Sequence, residues 1–395
     1  MKDIKFIHCA DIHFDTAFSG LSSSKALIRR DELRMNFSRI ISLCTEKKAD
    51  ILMISGDLFD STRVTEETVT FLKNSFASIS NVHIFISPGN HDPYMPGSRY
   101  EDVWPSNVHI FKNSFIERVT IDELNLNVYG AAFTVPYIER GLLEEFSCSE
   151  HEDGEPDALK PFFNIMLMHG ELIASGQSST YNPISLSSIS NSGLDYLALG
   201  HTHEFSSVKI AEETHYSYSG SPEGRGFDEI GEKGVVFGVL EFLPNSRKTH
   251  FSWEFIPCSV RKYVVLSTDL SGCSTHEEAI LCINNVLGNP SDLYKVTLTG
   301  SLKDGFILDL NILDARFVEK YFSIKFKDLT CVEIDPDTLL NESMLRGIFA
   351  GRMTAKIEDA KRKDNKEEER FYTDALAVGL KAFHEEVPIY DNQID

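Results

Sequence analysis

Five short strand-like runs in the first 240 positions each end on a motif built from Asp, Asn and His, and this coincidence constrains the chain more than any other feature. The runs are Lys5 to Cys9, Ile51 to Ser55, Val82 to Ile86, Asn164 to Met168 and Tyr196 to Leu199. The motifs that follow are D-I-H (Asp11, His13), G-D-L-F-D (Asp57, Asp60), G-N-H-D (Asn90, His91, Asp92), M-H-G (His169) and G-H-T-H (His201, His203). Short apolar, β-branched runs bounded by turn residues read as buried strands. Helical spacing over Asp31 to Lys48 and over Thr65 to Ser78, the latter behind a Thr65 cap, supplies crossovers between them. A further strand is expected at Val235 to Glu241. The pattern reads as α/β, with its polar motifs at the carboxyl ends of strands, where open sheets place their sites.

Taken singly, each motif is weak. One His after a strand is more often a hydrogen-bonded structural residue than a ligand, and D-x-H or G-D arises in any loop. Together the five offer only oxygen and imidazole donors, in one order and on one kind of element. Two adjacent divalent cations need an anionic group that bridges them, and Asp57 is the natural bridge. His8 and His83, inside predicted strands, read as structural.

This set resembles the signature of the calcineurin-like metallophosphoesterases, D-x-H, G-D-x-x-D, G-N-H-D/E, H and G-H-x-H, over Asp11 to His203. The resemblance implies a four-layer αββα sandwich and two divalent ions, Mn²⁺ above others. One ion would be held by Asp11, His13, Asp57 and His203, the other by Asp57, Asn90, His169 and His201. It implies that His91 contacts the scissile phosphate and assists the leaving oxygen. Asp60, three residues past the bridging Asp, occupies the offset from which related enzymes orient that His with a carboxylate.

The flanks narrow the substrate. Phosphoprotein phosphatases of this superfamily carry Arg-Gly after the Asp60 position, whereas this chain reads Asp60-Ser61-Thr62-Arg63. The stretch Tyr218 to Gly234 (YSGSPEGRGFDEIGEKG), with A-D-I-H-F and D-Y-L-A-L-G-H-T-H, resembles DNA repair exonucleases of the SbcD and YhaO type. That resemblance implies a phosphoesterase domain over 1–258, a small α+β capping domain over 259–338 that positions DNA, and a C-terminal helical pair over 339–395. The pair would dock on a coiled-coil ATPase of the SbcC or YhaN kind, and the N-terminal domain would form a homodimer. After Pro257 the sequence itself predicts strand (Tyr263 to Ser267), helix (His276 to Leu287), strand (Tyr294 to Leu298), helix (Asp314 to Tyr321) and strand (Thr330 to Ile334). Two amphipathic helices then flank the charge run KRKDNKEEER.

Charge pulls the other way. The chain has 38 Lys and Arg against 60 Asp and Glu, a net charge of −22, whereas proteins that grip nucleic acid unaided carry a basic face. Arg261 to Thr330, with eight basic and nine acidic residues, is the least acidic part. Arg225 reads equally as a phosphate contact and as a turn residue. The acidic stretch Ser147 to Lys160 reads as a solvated loop. Seven cysteines without a C-x-x-C pair read as reduced core filler. The sequence offers neither a membrane span nor a leader, so a cytoplasmic protein without a membrane partner is expected. A phosphodiesterase acting on a small nucleotide or lipid diester, and a non-catalytic scaffold, are the competing readings.

Overall fold

Strand β1 (Ile4–Cys9) is buried on both faces: Ile4 and Phe6 enter one apolar cluster, Ile7 and Cys9 another. A strand's side chains alternate between faces, so core lies on either side of its sheet. The computed structural model describes residues 2–148, 163–243, 248–332 and 345–382, and the chain divides into two units, Met1–Lys262 and Tyr263–Asp395. In chain order the first unit continues with β2 (Ile51–Ile54), β3 (His83–Ile86), β4 (Val108–Ile110), β5 (Glu117–Ile121), β6 (Leu126–Gly130) and β7 (Phe163–His169). Next come β8 (Glu171–Ile173), β9 (Pro183–Ser185), β10 (Tyr196–Gly200), β11 (Lys209–Ala211), β12 (Thr214–Tyr218), β13 (Gly234–Leu243) and β14 (Lys248–Pro257).

Two six-stranded sheets result, in the orders β14-β13-β1-β2-β3-β4 and β11-β12-β10-β7-β6-β5. The cluster holding Ile4, Phe6, Met53, Phe85, Val128, Ile165 and Tyr196 draws on both sheets and fills the space between them. Helices α1 (Ser23–Glu46) and α2 (Glu66–Ser78) bury Leu33, Phe37, Ile40, Leu72 and Phe76 against the outer face of the first sheet. Short helix α3 (Leu186–Asn191) lies with Leu143, Phe146 and Ile189 on the outer face of the second. These are the four layers, helix, sheet, sheet, helix, that the family resemblance implied.

The elements differ from the sequence reading where polar residues are buried or sheets are half-wet. Helix α1 begins at Ser23 rather than Asp31, because its first turns are held by a buried arginine, Arg29, which no apolar pattern reveals. The hairpin β5–β6 pairs Glu117 with Gly130 through Ile121 with Leu126, and it went unread because the outer strand exposes every other residue. Thr65 caps α2 as expected, accepting a hydrogen bond from the Thr68 amide. The stretch Ser147 to Lys160 lies outside the described residues from position 149 onward.

In the second unit β15 (Tyr263–Asp269), β16 (Leu293–Thr299) and β18 (Ser323–Asp328) form a parallel sheet. One of its faces packs on α4 (His276–Val286) and α5 (Leu310–Phe317). Helix α5 lies four residues upstream of its expected start, since Asp309 caps it by accepting from the Asn311 amide. The strand expected at Thr330 to Ile334 is a two-residue strand, β19 (Cys331–Val332), paired with β17 (Ser301–Leu302); its last two expected positions lie outside the described residues. Helices α6 (Leu345–Arg362) and α7 (Lys366–Ala382) pack together through Ala350, Leu376 and Leu380. The charge run is mostly helical, because only three residues separate the two helices. No helix among the described residues is long and apolar enough to cross a membrane.

Candidate metal centre

All five motifs leave the carboxyl ends of parallel strands: β1, β2 and β3 in one sheet, β7 and β10 in the other. The two sheets meet there. Gly200 is required by that meeting, since a Cβ on it would lie 1.8 Å from the Ser55 carbonyl oxygen. A Cβ on Gly89 would lie 2.2 Å from Asp57 Oδ1. The glycines of G-H-x-H and G-N-H-D thus let backbone approach ligand-bearing backbone.

Asp11, His13 and Asp57 adopt φ of 54°, 53° and 49°, and His201 adopts 109°. Non-glycine residues seldom hold positive φ, and strained backbone of this kind collects at functional sites. Here it is held by hydrogen bonds: the Asp11 amide donates to Gly56 O at 3.0 Å, the His13 amide to Asp57 O at 2.9 Å, and the His201 amide to both Asp11 carboxylate oxygens at 3.1 Å.

The side chains converge. Ligand atoms of Asp11, His13 and His203 lie within 4.8 Å of one another, as do those of Asp11, Asp57 and His169, and those of His13, Asp60 and His91. Asn90 Oδ1 sits 2.9 Å from His169 Nε2, and the His201 ring centroid lies 5.2 Å from that of His169. Every residue assigned to a metal from the sequence is in this neighbourhood.

Two observations test the fit to cations. Both nitrogens of the buried His13 ring lack a hydrogen-bond partner among the described residues, although Asp57 Oδ2 lies 3.6 Å from Nε2. Buried polar atoms are rarely left so. Asp11 and Asp57 are both buried; burial pushes the Asp11 carboxyl up to about 7, against the charge of His203, and raises Asp57 against the charge of His91 and the hydrogen bond from the His91 amide. Two buried carboxylates this close demand compensation, which divalent cations give.

The imidazoles suit ligation. Burial lowers His169 and His201 each to about 4, so both stay neutral near pH ~7. His169 Nδ1 donates to the Ser55 carbonyl at 3.0 Å, which turns the Nε2 lone pair toward Asn90 Oδ1, the other donor atom a cation there would share. His203 has a carboxylate behind it, Glu229 Oε1 at 2.9 Å from Nδ1. Burial works against its charge, but the bond to Glu229 and the charge of Asp11 prevail and raise its pKa. A carbonyl or carboxylate behind a ligating His fixes its tautomer and orientation.

The expected pairing of the Asp60 carboxylate with His91 is corrected by the geometry. His91 Nδ1 donates instead to the main-chain carbonyl of Asp60 at 3.0 Å. The Asp60 carboxylate turns toward Arg225, 3.1 Å from Nη1, and lies 3.3 Å from His13 Nδ1. Arg225 also grips Glu229 through Nε at 3.1 Å and Nη2 at 2.9 Å. The guanidinium is thus turned into the site and its charge is matched there by two carboxylates.

Some functional residues carried no role in the sequence reading. Asp92, the last letter of G-N-H-D, is buried and accepts from the Gly89 amide at 2.8 Å and the Phe59 amide at 2.9 Å, tying the loop after β3 to the loop after β2. Tyr100 donates to it as well. Glu229 was equally silent, because it lies in a turn rather than on a helix and its four-residue spacing from Arg225 predicts no pairing there. His8 is buried, with Nδ1 on the Tyr196 hydroxyl at 2.9 Å and Nε2 on the Leu199 carbonyl at 3.2 Å. His83 is partly exposed and 3.6 Å from Glu123.

A family model described as calcineurin-like phosphoesterase matches residues 4–205. A protein of Bacillus subtilis (strain 168) named uncharacterized metallophosphoesterase YhaO is 28% identical over 260 residues, which cover 65% of this chain and 60% of that protein. The matched region therefore spans less than two thirds of the relative's length. The crystal structure of TT1561 of Thermus thermophilus superimposes with a TM-score of 0.36 at 10% identity, covering 64% of this chain and 99% of that one.

Proposed function

The chain belongs to the calcineurin-like phosphoesterase family, and from that premise we propose that it is a Mn²⁺-dependent DNA nuclease of the SbcD type. In this reading it hydrolyses phosphodiester bonds of duplex ends and single strands in DNA repair. The observation that carries the chemistry is the buried, unpartnered His13 imidazole set among Asp11, Asp57 and His203 on a positive-φ backbone. Divalent cations bound by Asp11, His13, Asp57 and His203 on one side and by Asp57, Asn90, His169 and His201 on the other would supply Lewis-acid neutralisation of phosphoryl charge and a lowered pKa for water.

The chain's own residues supply the rest. Hydrolysis adds water across a P–O bond, so the departing oxygen must receive a proton. A carbonyl can only accept, so Asp60 O fixes the proton of His91 on Nδ1 and leaves Nε2 as the nitrogen available to substrate. In its protonated form that nitrogen hands a proton to the leaving oxygen, a contribution of roughly 10²- to 10⁴-fold. Asp92 holds the loop that carries His91, and Arg225 with Glu229 holds Asp60 and His203 in place.

The nucleic-acid reading is supported by the Tyr218 to Gly234 stretch and by the long chain beyond the last metal motif. A net charge of −22 argues that DNA affinity is shared with a partner. Exposed Leu345, Ile348, Phe371 and Val378 on α6 and α7 support docking of a coiled-coil ATPase of the SbcC or YhaN kind there. The deciding experiment is degradation of an end-labelled duplex with Mn²⁺, Mg²⁺ or EDTA, alongside Asp57→Ala and His91→Ala. Mn²⁺-dependent shortening lost in both variants is expected. Hydrolysis of a bis-aryl phosphate with no action on any DNA, even beside the ATPase, would move the assignment to small diesters.

A further inference from the structure

Beside the metal centre the loop after β6 exposes three consecutive apolar residues, Val135, Pro136 and Tyr137, with Val135 51% and Tyr137 60% accessible. Exposed apolar groups are ordinary when scattered, but a contiguous run at the rim of a charged site is not. This loop is tied down at both ends. Phe133, buried against the His169 ring at 5.6 Å between centroids, donates its amide to Pro88 O at 3.0 Å and accepts from the Tyr94 amide at 2.7 Å. Farther along, the Ile138 amide donates to Thr180 O at 2.8 Å and Ile138 O accepts from the Asn182 amide at 2.7 Å.

That second pairing brings two tyrosines together from segments with no motif in common. The Tyr137 ring lies 5.8 Å from the Tyr181 ring, and the Tyr181 ring lies 5.0 Å from the ring of His201. Asn182, the residue after Tyr181, is buried and donates from Nδ2 to His169 O at 2.8 Å while its Oδ1 accepts from the Leu142 amide at 2.9 Å. The rings thus form a short ladder that starts on a metal-site imidazole, is locked to the backbone of a second, and ends on an exposed aromatic face.

We propose that Tyr137 and Tyr181 form a stacking platform for the nucleobase adjoining the scissile phosphodiester. The proposal rests on the nuclease reading above and names what that site grips besides phosphate. Ring character favours a base over an alkyl chain, and charge favours an uncharged contact over a further ionic one. The rim is aromatic where it nears the site, and aromatic rings stack on any base with little dependence on sequence. The chain's net charge of −22 also denies it the counterion-release affinity that most nucleic-acid proteins draw on, so uncharged contacts must carry more of the binding.

The test uses the full chain, loaded with Mn²⁺ and carrying His91→Ala to slow cutting, with single-stranded oligonucleotides bearing 2-aminopurine at successive terminal positions. Stacking quenches the probe, so quenching confined to one position is expected. Tyr137→Ala should weaken that quenching and raise Kd by roughly tenfold to a hundredfold, and Tyr137→Phe should restore both. Replacing the base at that position by an abasic sugar should cost a similar factor, and combining it with Tyr137→Ala should cost little more. Equal quenching and affinity in Tyr137→Ala, or losses that simply multiply, would overturn the platform. Cleavage is scored separately with His91 intact and the ATPase present: absence of cutting with position-specific quenching overturns the nuclease reading and leaves the platform, whereas cutting unaffected by Tyr137→Ala overturns the platform alone.

Discussion

The imidazole of His91 is hydrogen-bonded through Nδ1 to the main-chain carbonyl of Asp60, 3.0 Å away, while the Asp60 carboxylate faces Arg225. A backbone acceptor survives any side-chain change, so the tautomer of His91 does not depend on the charge at position 60. Asp60→Asn should therefore lower kcat by less than about tenfold, whereas His91→Gln should lower it by roughly 10²- to 10⁴-fold. Steady-state kinetics on a diester substrate decides this. Equal losses in both variants would mean that the carboxylate itself acts on His91.

Cation binding should be visible without catalysis. Among the described residues, Asp11 and Asp57 are buried with no more than main-chain donors on their carboxylates, and the His13 imidazole has no hydrogen-bond partner, so metal should stabilise the fold by mass action, about 2.7 kcal/mol at a concentration of about a hundred times Kd. Metal analysis should find about two equivalents per chain, as the bridging role of Asp57 requires, and Asp57→Ala should reduce that number. Tm should rise on adding Mn²⁺ to the wild type and rise less in Asp57→Ala. A Tm indifferent to both Mn²⁺ and EDTA would remove this account of the site.

Most of the site was legible because each ligand stands directly after a strand, so sequence order and spatial convergence coincide for Asp11, Asp57, Asn90, His169 and His201. What escaped depends on groups whose partners are distant in sequence. Whether Asp60 meets His91 by side chain or main chain is a matter of a peptide's orientation, which an offset of three residues does not encode. Asp92 looks like one more motif letter until its two amide partners, Gly89 and Phe59, are known. Tyr137 and Tyr181 become neighbours only through backbone pairing across a gap of forty-odd residues. In the fold, β18 was missed because its alternation S-I-K-F-K-D puts two lysines on the solvent side of a one-sided sheet, and the start of α1 because its inward residue is an arginine.

His8 gives a pH dependence of known sign. Burial lowers its pKa to about 3, opposed in part by the bond to Leu199 O. The unfolded chain binds this proton near pH ~6.5 and the folded chain does not, so the contribution is fully present above that value and is lost as pH falls toward the folded pKa. Between about pH 7 and about pH 5 the loss is on the order of 2 kcal/mol. Urea unfolding of wild type and His8→Gln at both pH values isolates the effect: the stability gap between them should narrow by about this amount on acidification. Parallel changes in the two proteins would show that His8 does not titrate as its burial requires.

Arg29 is the interior counterpart of Arg225. Its guanidinium, fully buried, binds Glu32, Glu223 Oε1 at 2.7 Å and Gly224 O at 2.8 Å, bolting α1 to the segment that carries Arg225 into the site. Asn36 reinforces the joint through Pro222 O at 2.9 Å and Cys258 O at 2.8 Å. Removing one partner of a buried ionic network leaves the others uncompensated, at a cost of roughly 3–5 kcal/mol. Arg29→Met should therefore lose about that much stability in chemical unfolding, and Arg29→Lys should recover only part of it, since an ammonium cannot reproduce the fork that meets two carboxylates and a carbonyl together. Pairing Arg29→Met with Glu223→Gln should relieve some of the loss by removing the stranded charge. A single Arg29→Met variant as stable as wild type would mean that α1 is held by its apolar face alone, with Leu33, Phe37 and Ile40 sufficient to seat it.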